Sequence, residues 1–190
     1  MTDRLPLFPL NAVLLPGALL PLRIFEARYL DMVSDCLRNN GEFGICLIHS
    51  GDEVGKAAKI HMFGTSVKII DWDKQPDGLL EIWVEGQQKF QVLQTDVQPN
   101  ELLTGIINRL PAEAPTPLPE EFLDMKILLQ HILEQLQTPL MKQPVTEDAG
   151  WIAGRLIEWL PLPLDVKQQL LEMDDSLSRL FRLRDVMSGL

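Results

Sequence analysis

The sequence predicts an α+β protein with its strands first and its helices last, and three observations predict it. From Leu5 to about Leu110 the chain runs in short β-branched or aliphatic stretches broken by Gly, Pro and Asp, the pattern of a β-rich subdomain. Beyond Pro119 apolar residues recur at helical spacing. Between the two, PAEAPTPLP at residues 111–119 holds four prolines, which neither a central strand nor a helix interior accepts. The expected organisation is therefore a β-rich subdomain over 1–110, a proline-rich linker over 111–119 and a helical subdomain over 120–190.

The first part yields seven expected strands: Leu5 to Phe8, Leu19 to Ile24, Phe43 to Ile48, Thr65 to Trp72, Leu79 to Val84, Lys89 to Thr95 and Leu103 to Asn108. The run Leu5 to Leu22 carries no charge over 18 residues and is long enough to suggest a membrane span or a signal peptide. Pro6, Pro9, Pro16 and Pro21 exclude both, because each interior proline costs a helix about 3 kcal/mol. A turn at Pro16-Gly17 between two extended segments fits instead. One helix interrupts the strands between Glu26 and Arg38, with Tyr29, Leu30, Val33 and Leu37 at helical spacing and Asn39-Asn40-Gly41 as its stop.

The second part predicts about four helices. Phe122, Met125, Leu129, Ile132 and Leu136 form one stripe, and Trp151, Leu156, Trp159 and Leu160 mark a second helix. Pro161 and Pro163 force a break before a third near Asp165 to Met173, and a fourth starts at Asp174 or Asp175 and runs to about Met187. Proteolytic nicking is expected between Pro111 and Pro119 or within Thr138 to Thr146.

The 17 Lys and Arg against 27 Asp and Glu leave a formal charge of -10. The deficit runs through both parts, with 10 basic and 14 acidic side chains up to residue 110 and 7 and 13 after it. Nucleic-acid binding draws on cations that neutralise phosphates, so this balance argues against it. Two cysteines, Cys36 and Cys46, cannot build the disulfide framework of a small secreted domain, and a cytoplasmic location is expected.

No catalytic constellation rises above background. At Gly55-Lys56 a phosphate loop fails twice, because Ala57 stands where the Ser or Thr belongs and Ser50 where the first glycine belongs. Gly64-Thr65-Ser66 runs on into Val67-Lys68 without forming a serine-hydrolase elbow. Cys46, His49 and His61 invite a metal reading, but in a strand positions 46 and 49 point to opposite faces, so a buried Cys and two surface His are expected. His131 stands alone on its helix. Asp52-Glu53 and Asp71/Asp73 read as a solvated acidic face. No catalytic residue, cofactor or metal is expected.

The segments Leu5-Pro6-Leu7-Phe8-Pro9-Leu10, Val13 to Gly17 and Leu20 to Glu26, with Tyr29-Leu30 and Met32-Val33, resemble the opening of the Lon protease N-terminal, substrate-binding domain. Phe43 to Ile48, Gly64-Thr65, Asp77-Gly78 and Leu160 to Glu172 resemble later parts of it. The resemblance implies a PUA-like β-barrel with one helix, followed by a helical bundle. It also implies a freestanding member without ATPase or protease domains that binds protein or peptide clients. Related domains occur in eukaryotic adaptors that recruit proteins for ubiquitination, which again favours binding over catalysis. An RNA-binding PUA-like module is the alternative, with an orphan hydrolase behind it; a homo-oligomer is open.

Of the signature residues, Pro16, Gly17, Pro21, Arg23, Phe25, Glu26 and Tyr29 are expected to be structural, with an Arg23–Glu26 ion pair fixing the helix start. A binding face is expected elsewhere. If Asp77-Gly78 is a two-residue hairpin turn, residues whose numbers sum to 155 face each other, so Trp72 opposes Trp83 and Lys74 opposes Glu81. Alternation in Leu80, Ile82 and Val84 gives those residues the buried face and leaves Trp72 and Trp83 together on a polar one, which is either a candidate protein-binding hot spot or a face covered by the C-terminal helices.

Overall fold

A computed structural model describes residues 2–136 and 144–189. The 138–143 portion of the expected nicking stretch lies outside these described residues. The fold is mixed α+β, and the chain divides into two compact units, Met1–Pro111 and Ala112–Leu190.

The first unit carries β1 (Thr2–Leu10), β2 (Leu19–Ile24), α1 (Ala27–Asn39), β3 (Phe43–Ser50), β4 (Lys59–Lys74), β5 (Leu80–Val97) and β6 (Leu103–Arg109). The strands form one sheet in the order β2-β5-β4-β3-β1-β6, and a further β5–β6 pairing closes β1, β3, β4, β5 and β6 into a ring. Closure depends on the 18 residues of β5. Its first half lies between β2 and β4, and its second half pairs β6 from Phe90 to Val97.

The sequence splits that stretch into two strands at Leu79 to Val84 and Lys89 to Thr95; the structure joins them. Gly86 is the reason the join is possible. Its N–H donates to Ala18 O at 2.9 Å and its carbonyl accepts from Gly17 N at 2.7 Å. A Cβ there would stand 2.3 Å from Leu15 O, so only glycine lets the strand continue under that turn.

β1 is longer than expected and contains two prolines. Residues Thr2 to Leu7 pair with β6 and Leu7 to Leu10 with β3, so almost every position has a strand neighbour on one side only. Pro6 and Pro9 therefore stand in the sheet without removing a ladder bond from both sides.

Two apolar clusters fill this unit. Leu5, Leu7, Cys46, Phe90, Val92, Leu103 and Ile107 pack among the closed strands. A Cβ at Gly44 would meet the Phe90 ring at 2.6 Å, so glycine in β3 makes room for the aromatic. The second cluster gathers α1 against Phe8, Leu22, Ile24, Phe43, Val67, Ile82 and Val84. The buried stripe of α1 is Tyr29, Met32, Val33 and Cys36. Leu30 and Leu37, which share the helical spacing read from sequence, are 39% and 42% exposed; the period is helical as expected, but the buried stripe is rotated toward Met32 and Cys36. The stop holds as expected, with Asn40 in the left-handed region and Gly41 N donating to Cys36 O.

The second unit opens with a 3₁₀ turn at Glu120–Phe122 and continues as α2 (Leu123–Gln135), α3 (Ala149–Trp159), α4 (Leu164–Glu172) and α5 (Ser176–Ser188). On α2 the buried residues are Met125, Leu129 and Leu133, with Leu133 in place of the expected Ile132 and Leu136. Ala149, Ile152, Ala153, Leu156 and Ile157 of α3 are fully buried. Asp148 and Asp175 cap α3 and α5, accepting from Trp151 N at 3.0 Å and Ser178 N at 2.6 Å.

The proline-rich segment has partners in this unit. Thr116 N donates to Asp148 Oδ1 at 2.8 Å, and Pro117 bridges to Asp148. Glu113 accepts a two-pronged contact from buried Arg179, whose guanidinium also donates to the carbonyls of Leu170 and Met173.

Candidate functional site

The signature residues meet around the β1–β2 connection and the start of α1. Leu15-Pro16-Gly17-Ala18 is a tight turn closed by Ala18 N to Leu15 O at 3.1 Å, with Gly17 at φ 75°, as its Pro-Gly pair dictates. Thr65 Oγ1 donates to Leu14 O at 2.6 Å and ties that connection to β4. Pro21 lies inside β2 in register with Trp83.

The Arg23–Glu26 pair does not form. Arg23 faces Glu81 across the β2–β5 ladder at 3.8 Å, because strand register sets its direction. Glu26 pairs with buried Arg28 at 3.0 Å and leaves the opening of α1 to its backbone carbonyl, which accepts from Tyr29 N and Leu30 N. Arg28 also donates to Glu101 O at 2.8 Å and lies 4.6 Å from the Tyr29 ring centroid. Tyr29 packs on Phe8, and burial raises its hydroxyl pKa while the Arg28 charge works against the rise. Phe25 departs from the scaffold expectation, being 54% exposed.

The cluster weighed for metal comes apart in one respect and together in another. Cys46 is buried and its thiol pKa is pushed up by burial. His49 and His61 approach to 5.3 Å between ring centroids at the outer end of β3 and β4. Among the described residues no group of three ligands capable of holding a metal occurs. A structural hub that sequence reasoning did not single out is Arg109, which bonds Glu42 at 2.8 Å and Asp3 at 3.0 Å. Burial disfavours its charge, but the two carboxylates raise its pKa overall.

The β4–β5 arm carries the expected binding face, with a changed register. Gly78 N donates to Gln75 O and Gln75 N to Leu79 O, both at 2.8 Å, so the loop holds three residues, Pro76, Asp77 and Gly78. Pro76 suits the second position of the turn and Gly78 adopts φ 85°. Facing numbers therefore sum to 154 near the turn: Trp72 opposes Ile82, Asp71 opposes Trp83, Asp73 opposes Glu81 and Lys74 opposes Leu80. The expected Trp72–Trp83 and Lys74–Glu81 pairs are thus corrected, and the two tryptophans lie on opposite faces.

Of the expected buried face, Ile82 and Val84 are fully buried and Leu80 is partly buried. Trp83 shares the other face with Asp71, Asp73 and Glu81 and is half-buried. Trp72 lies at the margin of the core-facing side, 57% exposed. Ile70, the extra residue of a bulge between Ile69 and Asp71, is 41% exposed. β3 pairs β4 only as far as Val67, so residues 68–74 have β5 on one side and no strand on the other among the described residues.

These features meet a known family. Residues 4–189 match the family model of the ATP-dependent protease La (LON) substrate-binding domain. A Lon N-terminal domain protein from Xanthomonas campestris has a crystal structure that superposes with a TM-score of 0.81 at 36% identity, covering 96% of this chain and 98% of that one. A Lon protease of Trichlorobacter lovleyi is 28% identical over 98% of this chain, and protein cereblon of Xenopus tropicalis is 24% identical over 79% of it. The chain spans 24% of the first of these relatives and 33% of the second. By the extent of the family match and the agreement of the fold, the chain belongs to the Lon substrate-binding domain family.

Proposed function

We propose that this chain is a non-catalytic recognition module that binds unfolded or damaged segments of other proteins in the cytoplasm, and that its closed sheet is a PUA-like barrel serving as the platform. The observation that carries the reading is the family match over residues 4–189, since the part of a Lon protease it corresponds to is named for substrate binding. Apolar side chains presented beside carboxylates, Trp72 and Ile70 on an arm with Asp71 and Asp73, suit a client that exposes apolar and basic residues. The formal charge of -10 opposes the RNA-binding alternative.

The test uses a reduced, carboxymethylated protein that cannot refold, compared with the same protein in its native state. The chain retains the unfolded form, ignores the native form and leaves the bound protein uncut over hours. Equal retention of both forms, tighter retention of homopolymeric RNA, or cleavage that persists through repurification overturns the reading.

A further inference from the structure

We propose that the outer edge of β4, centred on Trp72 and Lys74, captures an extended client segment as an added β-strand in which basic and apolar residues alternate. The proposal rests on the client-binding reading above and gives it a mode.

The hydrogen-bond phase of the arm is fixed by its turn. Gln75 N to Leu79 O makes 75 and 79 a hydrogen-bonded pair. Bonded and non-bonded pairs alternate along an antiparallel ladder, so Lys74–Leu80 and Trp72–Ile82 are non-bonded pairs. The N–H and C=O groups of Trp72 and Lys74 therefore point away from β5, to the side where no strand pairs with residues 68–74 among those described. The Trp72 N–H meets the Asp71 carboxylate at 2.8 Å, a local acceptor standing where an incoming carbonyl would sit. Exposure is continuous from Ile70 to Lys74, and no proline interrupts that edge. The edge at the other side of the arm, β2, carries Pro21, which blunts it for pairing.

Charge selects the occupant. Asp71 and Asp73 share one face of the arm with Glu81, and Trp72 lies on the other. A strand added to this edge places basic side chains opposite Asp71 and Asp73 and apolar ones opposite Trp72 and Lys74. A second copy of this chain fits less well. Pairing the edge with itself through Trp72 opposite Trp72 sets Asp71 against Asp73, and pairing Trp72 with Lys74 sets Asp73 against itself. Main-chain bonds supply affinity in this mode, and alternate side chains supply selectivity.

The probe is a fluorescein-labelled peptide of alternating Lys and Val, titrated into the full chain. In the proposed register the Val residues bond to Trp72 and Lys74 through their main chain. N-methylation of the Val amides then weakens binding by about tenfold or more, and N-methylation of the Lys amides leaves it unchanged. Lys74→Pro removes an outward N–H without removing a β4–β5 ladder bond, and it weakens the unmodified peptide by a similar factor. Hydrogen exchange on the unsubstituted chain shows the Trp72 and Lys74 amides protected when peptide is bound, which tests the idea without any variant. Equal binding of the two methylated peptides, or protection that bypasses Trp72 and Lys74, overturns the proposal. So does sedimentation showing a dimer that Lys74→Pro converts to monomer, which gives the edge to a second copy. If the unfolded protein binds but the methylation pattern is absent, strand addition fails alone; if neither probe binds, the client-binding reading fails with it.

Discussion

The sheet unit and the helical unit hold themselves together by different means. In the first, main-chain pairing does the closing: five strands complete a ring, and buried side chains such as Phe90 and Leu7 fill what the backbone encloses. In the second, helices of 9 to 13 residues are too short to persist alone, and side chains join them to the irregular segment before them. Asp148 and Arg179 are those joints. A backbone-closed unit can extend a strand pair beyond its ring without loosening the ring. That is how residues 68–74 come to offer an edge that no strand pairs among the described residues.

The sharpest way to break the comparison is Arg179→Ala. It removes the donor that Arg179 supplies to the Leu170 and Met173 carbonyls and to the Glu113 carboxylate, and breaking such a buried pair costs roughly 3 kcal/mol, discounted here because Glu113 keeps some solvent contact. Trp151 and Trp159 report the helical unit and Trp72 and Trp83 the sheet unit. The expected result is a lower melting temperature in the environment of the first pair, read by substituting the other pair with Phe. A loss shared equally by both reporters would show that the two units do not differ as described.

A smaller effect belongs to the sheet unit. Burial, with Asp35 and Glu42 nearby, pushes the Cys36 thiol up to about 11. The folded state then holds its proton where the unfolded chain releases it, at the ordinary thiol value of about 8.5. The contribution to stability is complete below that value and is lost as pH rises toward 11. Denaturant unfolding at pH 7 and pH 10.5 checks this: Cys36→Ala reduces the difference between the two by on the order of 1 kcal/mol. An unchanged difference would remove Cys36 from the account.

The smallest stability effect is expected where the arm is most exposed. Trp72→Ala shifts stability by less than about 0.5 kcal/mol, whereas Trp83→Ala, half-buried beside Pro21 and Asp71, costs about 1 kcal/mol. Client retention measured in parallel separates the two roles, with Trp72→Ala losing binding at nearly unchanged melting temperature. A large stability loss at Trp72 would mark it as core.

The elements were legible from local pattern because strand and helix periods are local properties. Pro16-Gly17 announces its turn, Asn39-Asn40-Gly41 its helix stop and Asp175 its cap, each through φ preference or a side-chain acceptor that acts within a few residues. Several of the errors concern what a residue meets far away in sequence. Gly86 looks like a break until Leu15 and Ala18 are placed over it. The stripe of α1 has the right period and the wrong rotation, since the sheet decides which face is covered.

The candidate site was legible in part. The buried alternation of Ile82 and Val84 was readable, yet one overlooked loop residue, Pro76, moved Trp72 from beside Trp83 to the opposite face. A shift of one residue does this to any strand, because side chains alternate with a period of two.

By itself the sequence determined the α+β order, the turns and the acidic balance, since each follows from residue type and spacing within a short window, and its resemblance over residues 5–172 pointed to the family. Only the tertiary structure decided that β5 closes a ring, that Arg23 pairs with Glu81 and Glu26 with Arg28, and that among the described residues no strand covers the edge of β4 past Val67. Those outcomes depend on register and on partners tens of residues apart, and no local preference encodes which main-chain groups remain unpaired once the sheet has closed.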